Sequence, residues 1–198
     1  MKRVDKARAY KAWTEAECAA FEAARPPRHI LTAYMLGRYT GQRRGDVLKM
    51  ARGAYNGMLI AVKPTKSERH SDDNEQLLIP AHKRLRAYLA DLPKDALLFV
   101  VDDGGRAIAE TAFSKEFRAA LDAAGLRHLH FHGLRHTAGS ALAEAGCSEK
   151  EIMAVLGHKT LSMVQKYTQG ARRRWLATSA IAKLEGTGTE RESGKLEE

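Results

Sequence analysis

The chain has 198 residues, of which 33 are Lys or Arg and 24 Asp or Glu, for a net charge of +9. Apolar residues make up 44% and charged residues 29%, a globular balance that excludes fibrous classes, and no run approaches the ~18 uninterrupted apolar residues of a membrane span. Two cysteines, Cys18 and Cys147, are too few for a disulfide framework or a four-cysteine zinc site, and the basic start lacks the apolar run of a secretory signal, so a reducing, cytoplasmic compartment is expected. Residues 1–100 carry 19 basic and 11 acidic side chains, whereas the last 18 carry 3 and 5. A basic body with a mildly acidic tail suits a polyanionic partner, nucleic acid first.

In chain order, Thr14 and Glu17 form a capping box that opens a helix to about Arg25, where Pro26-Pro27 breaks it. His29 to Tyr39 reads as a largely buried helix ended near Gly41, and Gly45 to Ala51 as a short helical turn with Val47, Leu48 and Met50 inward. Residues 54–63 surround an Asn-Gly pair and read as strand or hairpin. A polar loop over 67–75 follows, then a strand at Gln76 to Pro80, with Pro80 opening a helix to about Leu89. The apolar run 97–101 ends at an Asp-Asp-Gly-Gly turn. Thr111 to Ala124 is helical by the spacing of Phe113, Phe117 and Leu121. Helices are expected at 133–145, from the Ser148/Glu151 capping box to Gly157, at Leu161 to Tyr167, and at Arg172 to Leu184. The fold class is therefore mainly α with a small antiparallel β-sheet (α+β).

Five of the eight histidines fall between residues 128 and 158. His132 and His136 stand at i and i+4, as two zinc ligands on one helix face can. The intervening residues lack the Glu of a metalloprotease helix, and Arg135 among them repels a dication, so no metal and no other cofactor is expected. His132 and Arg135, three apart, instead share a helix face and present an imidazole beside a planar guanidinium, whose forked donors fit two phosphate oxygens. Elsewhere, Arg43 follows a helix terminator with Asp46 three residues on, and His158 directly follows Gly157, with Tyr167 nine residues later.

As a set, TGQR, HGLRHT and LGHKT followed by Tyr167 resemble the catalytic domain of the tyrosine recombinases, the phage-integrase group, over about Trp13 to Leu184. The resemblance implies that Arg43 and Arg135 grip the scissile phosphate of double-stranded DNA and that Tyr167 is the nucleophile. It implies that His132 is the proton acceptor and that His158 hydrogen-bonds the phosphate. It also implies a lysine on a β-hairpin that protonates the leaving 5′-oxygen. VKPTKS offers Lys63 and Lys66, and its context favours Lys66. Asp46 stands where the family commonly has Glu, with a shorter reach towards Arg43. The implied activity is site-specific DNA integration and excision through a 3′-phosphotyrosyl intermediate, needing neither metal nor ATP, in a bacterial, nucleoid-associated setting.

The family usually carries a helical DNA-clamping domain ahead of the catalytic one. The reading here is a basic lead over 1–12, the catalytic domain over 13–184 and a disordered tail over 185–198. The implied assembly is a homo-tetramer on DNA and a monomer when isolated. The competing readings are a relaxing enzyme of the type IB topoisomerase kind, which shares the nucleophile and arginines, and a non-catalytic DNA-binding accessory module.

Overall fold

The computed structural model describes residues 10–63, 76–165 and 177–186. Helix α1 (Glu15–Ala23) opens on the expected capping box: Glu17 N donates to Thr14 Oγ1 (3.2 Å) and Thr14 N to Glu17 Oε2 (2.7 Å). After the Pro-Pro break, α2 (Arg28–Thr40) is buried along most of its length and ends at Gly41, which takes the left-handed conformation (φ 65°). The short α3 (Arg44–Leu48) follows after one turn. Strands β1 (Leu59–Val62) and β2 (Leu77–Pro80) pair antiparallel in the register Leu59↔Pro80, Ile60↔Ile79, Ala61↔Leu78, Val62↔Leu77. The Asn56 side chain accepts from Met58 N and Leu59 N and so shapes the turn into β1.

Helices α4 (Lys83–Ala90), α5 (Glu110–Ala123), α6 (Phe131–Glu144) and α7 (Glu149–Leu156) complete the named elements, and residues 161–165 and 177–186 are also helical. The fold is thus mainly α with one two-stranded antiparallel sheet among the described residues. Three expected boundaries move. The short helical turn expected over Gly45 to Ala51 is α3, which ends at Leu48. Pro80 does not open a helix: it ends β2 opposite Leu59, and Ala81 N extends the pairing to Met58 O. Helix α4 starts three residues later, with His82 as its N-cap, the ring accepting from Arg84 N (3.2 Å). Helix α6 starts at Phe131, two residues earlier than its sequence pattern indicates, which puts His132 inside its first turn.

The main core is aromatic at its centre. Phe21 packs on Trp13, Tyr34 and Phe117 with ring centroids 5.4, 4.9 and 5.7 Å away, and Phe117 packs on Phe131 at 5.2 Å. Burying each such side chain stabilises the fold by about 1.5–3 kcal/mol relative to leaving it exposed. These rings tie α1, α2, α5 and the start of α6 into one unit. A second cluster joins Ala138 and Ala143 of α6 to Ile152 and Leu156 of α7 and to Val164, which fastens the 161–165 helix.

The joint between the two clusters is the α2–α3 turn. A Cβ on Gly41 would run into Leu156 Cδ2 and lie 3.2 Å from Ala138 Cβ, on a backbone already in the left-handed region. Gly41→Ala is expected to lower the unfolding free energy by about 2–5 kcal/mol, the sum of left-handed strain and overpacking. Denaturant titration measures this, and Gly53→Ala, in open space, is expected to change it by less than about 0.5 kcal/mol.

Candidate functional site

Three separate stretches of chain supply the site. The first is the turn after α2, where Arg43 is the N-cap of α3 and is half-buried. Its preceding neighbour, buried Gln42, donates from Nε2 to Thr40 O (3.0 Å) and Val155 O (3.1 Å), which locks the turn to the end of α7. Asp46, one helical turn further on, is buried. The second stretch is the first half of α6, with half-buried His132 and His136 and with Arg135 only 4% exposed. Arg135 Nη1 donates to Gly41 O at 2.8 Å, so the α6 guanidinium is fixed directly against the turn that carries Arg43. The third is the residue after α7: Gly157 caps the helix in the left-handed conformation, and buried His158 follows, its N–H donating to Met153 O.

These side chains also act on one another electrostatically. The His132 imidazole is pushed down to about 4, first by burial and then by the positive fields of His136, Arg135 and Arg43. His158 is also pushed down to about 4, by burial and by Arg135, Arg43, His136 and His132. Both rings are therefore neutral at pH 7, beside two permanent cations. The arrangement sets two neutral imidazoles beside two guanidiniums, a combination that favours an anion over a cation. The His132 and His136 rings stand edge to face at 5.4 Å, yet among the described residues no group of three or more His, Cys, Asp or Glu is placed to hold a metal ion.

The strand pair lies against the same region, since Leu77 of β2 packs on Gly157. Lys63, exposed, follows β1 directly, while Lys66 and Tyr167 lie outside the described residues. Val164, fully buried among Ile152 and Leu156, anchors the 161–165 helix.

The phage integrase family model matches residues 16–174. The chain belongs to the phage integrase family. The integrase of Mycobacterium phage L5 is 31% identical over 186 residues, covering 84% of this chain and 49% of that protein. A shufflon-specific DNA recombinase of Escherichia coli is 28% identical over 155 residues, covering 77% of this chain and 37% of that protein. This integrase-family chain thus spans about half the length of the phage integrases it matches, or less. Among solved structures, a lambda integrase tetramer bound to a Holliday junction superposes with a TM-score of 0.69 at 22% identity, covering 84% of this chain and 50% of that one. XerA recombinase gives a TM-score of 0.69 at 17% identity, covering 90% and 66%. At these identities the likeness is one of fold, and the mainly α fold with its small antiparallel sheet is that of integrase and recombinase structures.

Two neighbours of the site have no place in the family resemblance read from the sequence. Tyr10, in the basic lead, sets its ring 4.8 Å from that of His132, a contact across more than a hundred residues of chain. His136 is visible in the sequence only as a possible metal ligand, whereas its ring stands edge to face with that of His132 at 5.4 Å.

A histidine held below its unfolded value binds its proton less readily in the native state, so the unfolded chain takes up more protons as the pH falls below about 6.5. Stability supplied by neutral His132 and His158 is therefore complete above about pH 6.5 and is lost progressively towards pH 4. Thermal melts are expected to show Tm falling across this interval, with a shallower fall in His132→Gln; an equally steep fall would assign the proton uptake to other groups.

Proposed function

We propose that this chain is the catalytic domain of a site-specific DNA recombinase that cuts and rejoins double-stranded DNA through a 3′-phosphotyrosyl intermediate. The observation that carries the reading is the convergence of Arg43, His132, Arg135 and His158 from three distant stretches onto one positive pocket with two neutral imidazoles. The names of the relatives, integrases and DNA recombinases, support it. The domain occupies 13–184, with a lead over 1–12 and a tail over 185–198.

The chemistry follows from charge. A phosphodiester carries one negative charge, and its pentacoordinate transition state concentrates more on the non-bridging oxygens. Arg135, fixed on Gly41 O before the substrate arrives, and Arg43 beside it place positive charge there. Tyr167 has an ordinary pKa near 10, so its proton passes to neutral His132 as the phenolic oxygen attacks phosphorus. The bond to the 5′-oxygen breaks, and Lys66 gives that oxygen its proton. His158 hydrogen-bonds the phosphate. Rejoining is the reverse: a 5′-hydroxyl attacks the phosphotyrosine, the tyrosine oxygen takes back a proton, and no ATP is consumed because the phosphodiester energy is kept in the covalent link. Bound phosphate also sets its negative charge among the imidazoles, which favours their protonated forms and makes proton transfer to His132 easier once DNA is in place.

Arg44 and Lys159, exposed and adjacent in sequence to Arg43 and His158, extend the positive surface for phosphate contacts along the duplex. Exposed Ile181 and Leu184 on the 177–186 helix supply an apolar edge for a neighbouring protomer, and we place the working assembly as a homo-tetramer on DNA, with the isolated chain a monomer. A DNA substrate of this kind locates the protein with the bacterial nucleoid in the cytoplasm.

A nicked suicide duplex, which traps the covalent intermediate, tests the reading on a denaturing gel. The wild-type chain is expected to form a protein–DNA adduct, Tyr167→Phe none, and Arg43→Ala an adduct roughly 10²–10³-fold more slowly with DNA affinity little changed; an adduct from Tyr167→Phe at the wild-type rate would eliminate the mechanism. A 5′-phosphorothiolate leaving group needs no proton, so it is expected to restore cleavage by Lys66→Ala but not by Tyr167→Phe. Rescue of Lys63→Ala instead would transfer the proton-donor role to Lys63.

A further inference from the structure

The segment leading into α1 is fastened to the N-terminal half of α6 at several points. Trp13 N donates to Thr137 Oγ1 at 2.7 Å, and Trp13 Nε1 donates to His130 O at 3.0 Å. His128 Nε2 and Glu17 Oε1 lie 2.8 Å apart. Gly133, between His132 and Arg135, makes the close approach possible: a Cβ there would lie 2.5 Å from Lys11 O and 2.8 Å from the Trp13 ring. From the other side, Arg118 of α5 donates through Nη1 to Arg127 O (2.7 Å) and Leu129 O (3.1 Å), and through Nη2 to His130 Nδ1 (3.0 Å). A guanidinium only donates, so His130 Nδ1 accepts and its ring is held in one orientation.

Tyr10 sits at the end of this fastening. Its ring meets His130 edge-on at 5.5 Å and His132 at 4.8 Å with a 57° tilt. Tyr10 is 48% exposed, so its ring is no pillar of the core; its contacts are with these two histidines. The remaining groups that face His132 are His136 and Arg135 from its own helix, Arg43 from the N-cap of α3, and His158 beyond α7. All of these are basic. Tyr10 is the aromatic wall among them, and it comes from the lead.

We propose that Tyr10 is a positioning residue for His132: its ring fixes the orientation of the imidazole and shields one face of it from water, and Trp13 and the Arg118–His130 pair hold Tyr10 in place. The proposal rests on the reading of His132 as the proton acceptor for Tyr167. The terminal torsion of a histidine is broad, so an imidazole without a wall samples orientations from which its nitrogen cannot reach the phenol. Misplacement on that scale lowers the rate of the step and leaves phosphate binding intact.

The test compares Tyr10→Ala with Tyr10→Phe in the 198-residue chain, by single-turnover adduct formation on the nicked suicide duplex and by NMR titration of the histidine rings in the free protein. Tyr10→Ala is expected to slow adduct formation roughly tenfold with DNA affinity changed less than about twofold. It is also expected to shift the His132 resonances and raise their midpoint towards 6.5. Tyr10→Phe, which keeps the ring, is expected to restore the rate and the midpoint. His132 resonances and midpoint unaltered by Tyr10→Ala, or a Tyr10→Phe variant as impaired as Tyr10→Ala, would overturn the proposal. Failure of the wild-type chain to form any adduct counts against the catalytic reading alone, because the NMR response of His132 still decides whether Tyr10 holds the ring.

Discussion

A guanidinium buried to 4% exposure must be hydrogen-bonded, and Arg135 meets that requirement in part with the carbonyl of Gly41. That one bond constrains the rest. It fixes the α6 face that carries His132 and His136. It also fixes the turn whose left-handed glycine lets the chain leave α2 and deliver Arg43 to α3 two residues later. The same turn is clamped from below by Gln42 reaching Val155, which ties it to the end of α7, where Gly157 closes the helix and His158 follows. Two arginines separated by 92 positions thus come together because one of them is bonded to the turn that carries the other.

Crowding two guanidiniums is unfavourable, and His132 and His158 do not add to it: burial and the arginine fields together hold both near 4, so neither ring adds a cation at neutral pH. The pocket keeps a strong field for an anion and two unprotonated nitrogens within it. These properties are coupled. A more exposed pocket would let water screen the arginines and return the histidines towards 6.5, weakening the field and consuming the bases at once.

Much of this was readable from the letters, wherever a signal is local. Thr14 with Glu17 and Ser148 with Glu151 each need only a three-residue span to declare a helix start, and both form as reciprocal capping boxes. Gly41 and Gly157 mark helix ends because left-handed backbone favours glycine. The motifs around Arg43, His132, Arg135 and His158 were likewise visible, and the structure brings those four together. Pro80 was misleading because proline serves a first helical turn and a strand end equally well; pairing with Leu59, a tertiary fact, decided for the strand. The start of α6 at Phe131 was hidden because its first turn is stabilised by Trp13 and Arg118 acting on the His130 region rather than by a capping side chain of its own. Tyr10 carried no periodic or motif signal, since its contacts with His130 and His132 span more than a hundred residues.

The bond from Trp13 N to Thr137 Oγ1 joins positions 124 apart, and this distance along the chain has a kinetic meaning. Contacts of such separation are reached only after a large loop closes, and they set slow, late steps in folding. Until α6 has formed, the Trp13 backbone N–H lacks its partner and the aromatic cluster around Phe21 lacks part of its wall. The arrangement around Arg135 and His132 therefore depends on a long-range closure that ties the segment before α1 to α6. A partly folded chain carries positive charge enough to associate with polyanions but not yet the fixed geometry of the pocket.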